Sequence, residues 1–167
     1  MIKTYYHGSP FDNGETLTAL RCTDKNAVHC YRFDGLFLTT SREDAENFGK
    51  FIYSVDLDDD EILFHREANP YRDFDEIVEM LREEVPYWDE LSEDQQEALL
   101  DVVVNDTAVH DEIIEILQMD DLIDADCEAM RLRGHLAEVY GCKAVEIYDD
   151  PETTFLTAPG VTLRRIK

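Results

Sequence analysis

Basic residues are scarce in this chain: 15 lysines and arginines stand against 39 aspartates and glutamates among 167 residues. A surface of that kind repels phosphates, so direct binding to nucleic acid is disfavoured. Long apolar runs are missing too. No stretch approaches the roughly 18 consecutive apolar residues of a membrane-spanning helix. The start, Met1 to His7, lacks the apolar core of a signal peptide. Both absences point to a cytosolic protein with no membrane contact. Paired cysteines are also lacking. Cys22, Cys30, Cys127 and Cys142 form no C-x-x-C pair and no regular framework, which argues against structural zinc and for reduced thiols. No histidine stands at an informative metal-ligand spacing, and no metal is expected.

What is present is unevenly spread. Residues 1–55 hold seven acids and six bases, and residues 131–167 hold five acids and six bases. The other 27 acids and three bases lie in residues 56–130, so that segment alone accounts for the net charge of -24. Such a segment attracts a basic partner protein, or serves as a solvated face that aids solubility. With 44% hydrophobic residues the chain can build one core. Length and pattern suggest a single domain over 1–167, with a helical acidic insertion at about 66–128.

Periodicity gives an α+β order. Lys3 to Tyr6 reads as a strand broken at His7-Gly8-Ser9-Pro10, and residues 11–34 as a polar loop. Gly35 to Thr39 is a second strand. Ser41, with Asp44 three residues on, caps a short helix running to Phe48. Phe51 to Leu57 is a third strand. Helical spacing then recurs around Phe74–Leu81, Ala98–Val102 (after a Ser92/Gln95 capping box), Ile113–Leu117 and 126–140, with Gly141 as the helix stop. Strands follow at 143–148, 153–157 and 161–166.

Three pieces could carry chemistry. His7-Gly8-Ser9 offers a backbone that a ligand can approach closely, between two hydrogen-bonding side chains, though taken alone a plain turn with a surface histidine is the commoner reading. Phe37 and Phe48 lie eleven residues apart, one on a strand and one on the next helix. They could sandwich a flat ring or simply fill the core. Asp149, Asp150 and Glu152 form an acidic turn. A carboxylate there could stabilise a cationic transition state, or the residues could be an ordinary Asp-Pro turn. Arg131 could meet a pyrophosphate, or pair with the acidic block. Tyr87 and Trp88 could anchor a partner or pack between helices.

In this order the pieces resemble the ADP-ribosyltransferase superfamily, in the poly-ADP-ribose-polymerase-like branch with a His-Gly-Ser first motif. The stretch G-L-F-L-T-T-S-R-E-D-A-E-N-F-G-K-F-I-Y-S-V-D-L (35–57) is similar to the G-x-Y-L-T … A-x-x-Y-G … V-x-L pattern of small bacterial and phage transferases. The segments D-A-D-C-E-A-M (124–130) and A-E-V-Y-G-C-K-A-V-E-I-Y-D-D (137–150) resemble a phage ADP-ribosyltransferase anti-CRISPR family. The departures are specific. Phenylalanine replaces both polymerase tyrosines, and Ala45 stands where the polymerases have a nicotinamide-contacting serine. No Glu-x-Glu pair is present.

The resemblance implies a split antiparallel β-sheet with the acidic helical insertion, and NAD as substrate. It implies that His7, Gly8, Ser9, Phe37, Thr39, Phe48 and Arg131 contact NAD, with Asp149 as the catalytic acid and Glu152 or Asp150 as alternatives. It further implies transfer of ADP-ribose to a basic target protein, a CRISPR effector subunit being one such target. Two other readings remain open: an NAD glycohydrolase toxin that uses water as acceptor, and a non-catalytic acidic mimic of nucleic acid.

Overall fold

The computed structural model describes residues 1–19, 34–64, 67–68, 73–148 and 153–166. In chain order the strands are β1 (Lys3–Ser9), β2 (Thr16–Thr18) and β3 (Phe37–Leu38). Helix α1 (Arg42–Phe48) precedes β4 (Phe51–Leu57) and β5 (Ile62–Leu63). A block of four helices follows: α2 (Phe74–Glu84), α3 (Glu93–Asn105), α4 (Asp111–Leu117) and α5 (Leu122–Val139). Strands β6 (Ala144–Tyr148), β7 (Thr153–Thr157) and β8 (Thr162–Arg165) close the chain.

The strands form two four-stranded sheets, ordered β1-β4-β8-β2 and β3-β7-β6-β5. They meet edge to edge through one bridge. Tyr6 N–H donates to the Thr39 carbonyl at 2.8 Å, and Thr39 N–H donates to the Tyr6 carbonyl at 2.9 Å. The resemblance implies a split antiparallel sheet; the second sheet is mixed, because β5 pairs with β6 in parallel. Parallel neighbours need a long crossover, and the helical block supplies it.

Strand β1 also differs from expectation. It does not break at Gly8 but pairs with β4 to its end, Gly8 opposite Ile52 and Ser9 opposite Phe51. The full ladder outweighs the weak strand preference of glycine. Strands β2 and β5 have only three and two residues, too few for an alternating pattern.

Helix ends follow their local signals. Ser41 accepts from the Asp44 N–H, and Ser92 with Gln95 completes a reciprocal capping box. Gly141, at φ 70°, ends α5. The Gly141 and Cys142 N–H groups donate to the Glu138 and Ala137 carbonyls, which satisfies two of the last free carbonyls. Helix α5 begins four residues earlier than its periodicity suggests, capped by Asp121.

Two apolar clusters hold these layers. One lies between the sheets and includes Tyr5, Leu38, Tyr53, Leu57 and Phe155. The larger one packs the helical block onto β6 and β7. Trp88, 3% exposed, belongs to it and so is a packing residue. Leu156 of β7 lies where strand, helix and loop meet. A Cβ on Gly134 of α5 would come within 3.1 Å of its side chain, and one on Gly35 within 2.8 Å. Leu156 is fully buried. Leu156→Ala therefore should cost about 2–5 kcal/mol, read as a lower denaturant midpoint with an unchanged slope.

Candidate active site

The N-terminal motif sits where β1 leaves the sheet junction. Antiparallel alternation turns the Gly8 N–H and carbonyl to the same side as those of Tyr6, the side of β3 rather than β4. Helix α1 lies against the opposite demand, that nothing project from Gly8. A Cβ there would stand 1.8 Å from the Ala45 carbonyl oxygen, and one on Gly49 would stand 2.1 Å from the Ser9 carbonyl carbon. Both glycines are thus required for close approach, and Ala45 is fully buried at the contact.

His7 ties the motif to β3. Its Nδ1 lies 2.8 Å from the Phe37 carbonyl oxygen. A carbonyl only accepts, so Nδ1 carries the proton and the neutral ring leaves Nε2 as an acceptor. Burial lowers the His7 pKa, and the bond to Phe37 only partly opposes that. The ring is held neutral near pH 7.

The other N-terminal residues are placed as follows. Ser9 is buried, with its hydroxyl fully engaged: it donates to the Phe11 carbonyl and accepts from the Phe11 N–H and Asn13 Nδ2. It shapes the turn after β1, and a ribose contact would require that turn to reopen. Thr39 makes the inter-sheet bridge with its backbone, and its Oγ1 accepts from the Ser41 N–H. Phe37 is half-buried and packs partly against the helical core. Phe48 is 72% exposed, so it does not fill the core. His7, Gly8, Phe37 and α1 are therefore joined by direct contact.

Asp149, Asp150 and Glu152 lie outside the described residues. The strands that flank them are described. Tyr148 of β6 pairs with Thr153 of β7, and β7 pairs with β3 through Phe155 opposite Leu38 and Leu156 opposite Phe37. The Leu38–Phe155 pair lies two residues from the start of β7, and Thr39, which follows Leu38, makes the bridge to β1.

For Arg131, left open between a pyrophosphate and the acidic block, the structure shows the second: it is buried and surrounded by carboxylates. Its Nη1 is 2.7 Å from both Asp34 and Glu84, and Nε and Nη2 each lie 2.8 Å from Glu128. Burial pushes its pKa down, but pairing with Glu128, Glu84 and Asp34 more than reverses this, so the guanidinium is held above its ordinary value. A phosphate there would meet three carboxylates. His135 completes the network, its Nε2 2.8 Å from Asp34 Oδ2. Sequence reading missed this cluster. The only hint was that Arg131 and His135 share one face of α5 at i,i+4 spacing; nothing local marks Asp34 as their partner. Asp34, Glu84 and His135 bring ligand atoms within 4.8 Å of one another, the one such set among the described residues. Arg131 Nη1 stands within 3.3 Å of all three side chains, so a guanidinium already provides the positive charge a metal ion would bring. Nearby, Arg133 donates to the Val103 and Val104 carbonyls and caps the end of α3.

Comparison with known proteins decides the family. A family model described as Anti-CRISPR Type I-F ADP-ribosyltransferase AcrIF11 matches residues 3–164. The chain belongs to this family. An anti-CRISPR ADP-ribosyltransferase of this family takes ADP-ribose from NAD, and its target belongs to a CRISPR-Cas system. A solved structure described as the crystal structure of an anti-CRISPR protein shares the fold, with TM-score 0.61 and 21% identity over 99% of this chain and 96% of that one. No curated protein matches the chain. No helix among the described residues is long and apolar enough to cross a membrane.

Two outcomes follow for this ADP-ribosyltransferase. Arg131→Ala leaves Asp34, Glu84 and Glu128 without their shared cation, and should cost about 3–5 kcal/mol in denaturant unfolding. Acidification tests His7. Its folded pKa lies below the ordinary 6.5 or so, so the unfolded chain takes up the proton first. The stability tied to this group is complete above that value and is lost as pH falls through the folded pKa. The unfolding midpoint should drop less between about pH 7 and pH 5 in His7→Gln than in the parent.

Proposed function

We propose that the groove where β1 and β3 separate binds NAD and that the 149–152 turn supplies the catalytic acid. The chain then transfers ADP-ribose to a protein of a CRISPR effector complex. The observation that carries this reading is the direct junction of His7, Gly8, Phe37 and α1 at the bridge between the sheets, with β7 paired to β3 through Phe37 and Leu38.

The described residues take roles that fit their placement. The Gly8 backbone bonds the nicotinamide amide. Nε2 of neutral His7 accepts from a ribose hydroxyl. Phe37 and the exposed Phe48 flank the nicotinamide ring, and Thr39 and Ser9 shape the walls. In the reaction the bond between the ribose C1′ and the nicotinamide nitrogen breaks, and its electron pair leaves with neutral nicotinamide. A nucleophile of the acceptor bonds to C1′ and gives up its proton. Between these events C1′ has oxocarbenium character, which Asp149 stabilises, with Glu152 or Asp150 as the alternative. The reaction takes place in the host cytosol, where the effector complex works.

Incubation with labelled NAD and CRISPR-bearing cell extract tests this. Asp149→Ala should lower transfer by about 10²–10³, while the parent labels a discrete protein band. Parent-level labelling in both Asp149→Ala and Glu152→Ala rules the turn out as the source of the acid. Free ADP-ribose with no labelled protein identifies water as the acceptor instead.

A further inference from the structure

A groove of about 480 Å³ runs between α2 and α3, on the acidic block and separate from the junction of the sheets. Its floor is apolar, formed by Phe74, Val78, Leu100 and Trp88. Phe74 is 48% exposed, although Ile77 and Leu81 of the same helix are fully buried. One wall is acidic. Glu93, Glu97 and Asp101 line it at i, i+4 and i+8 of α3, and all three are exposed. Among the described residues Asp101 accepts from the neutral Asn105 and Thr107, and no ion pair cancels its charge. The cation on the rim, Arg82, is already paired with Glu79 and Asp89.

We propose that this groove docks a basic amphipathic helix of the acceptor protein. Apolar side chains of that helix lie on the floor, and its lysines or arginines face Glu93, Glu97 and Asp101. A concave apolar floor beside a row of like charges fits an amphipathic helix, which docks by its apolar face. The acids recur about every 6 Å along α3, four residues at 1.5 Å each, which matches bases at i,i+4 on a helix lying alongside. A second copy of this chain, with a net charge of -24, is repelled from such a wall. The proposal deepens the transferase reading and rests on it for the identity of the partner as acceptor, but the docking can be measured alone.

Trp88 is the chain's single tryptophan and lies under the groove, so its emission reports occupancy. The full chain is titrated with a synthetic leucine-lysine amphipathic helix free of aromatics, and with a leucine-glutamate helix of the same apolar pattern. The basic peptide should shift Trp88 emission, with an affinity that falls as salt rises. Glu93→Lys/Glu97→Lys should weaken it by about tenfold or more. Glu112→Lys/Glu115→Lys makes the same charge change on the exposed side of α4, away from the groove, and should have a much smaller effect. No shift of Trp88, equal loss in the two double variants, or equal binding of the acidic peptide overturns the proposal. Label transfer from NAD to protein is measured in parallel, with CRISPR-bearing cell extract as the source of acceptor. Transfer without selective peptide binding sinks the groove alone, and selective binding without transfer sinks the transferase reading alone.

Discussion

Two backbone hydrogen bonds between Tyr6 and Thr39 hold the two sheets edge to edge, and the site depends on them. Among the described residues this bridge is isolated: past Tyr6, His7 and Gly8 run alongside Leu38 and Phe37 without a further ladder pair, so the sheets part just where the motif begins. The bond from His7 to the Phe37 carbonyl keeps the parting narrow. Helix α1 then closes against β1 to a distance that admits no Cβ on Gly8 or Gly49. A sequence with larger residues at these points would push α1, and Phe48 with it, away from the motif.

Charge is handled in two opposite ways. On the outside of the helical block carboxylates face water, where high dielectric and salt screen them. Inside, Asp34 is 1% exposed and must be matched, and Arg131 and His135 match it. That cluster fastens the segment leading into β3 to α5. The acidic block is therefore tied electrostatically to the segment that leads into the strand presenting Phe37. An Arg131 engaged in this way leaves the pyrophosphate of NAD to be held by other groups, backbone N–H groups being the natural donors.

Much of this was legible in the sequence, for identifiable reasons. Ser41, Ser92 and Gly141 are local stop and start signals, and each acts as its chemistry dictates. The 35–57 stretch and the His-Gly-Ser motif pointed to the family because close backbone approach and ring placement constrain which residues can stand there. What stayed hidden depends on partners distant in the chain. β1 runs through Gly8 because Ile52 and Phe51 pair with its last residues, and no window around Gly8 contains them. The parallel pairing of β5 and β6 is set by the crossover between them, not by Ile62 and Leu63 themselves. Arg131 stayed open between a pyrophosphate and an ion pair because Asp34, 97 residues earlier, gives no sign of its role.

The central claim is that one groove is shared by two segments at opposite ends of the chain. Amide hydrogen exchange with a non-cleavable NAD analogue tests it most directly. The account predicts that saturating analogue slows exchange at residues 7–9 and at the 149–153 turn together, with the same concentration dependence. Protection of one segment without the other, or of neither, contradicts it.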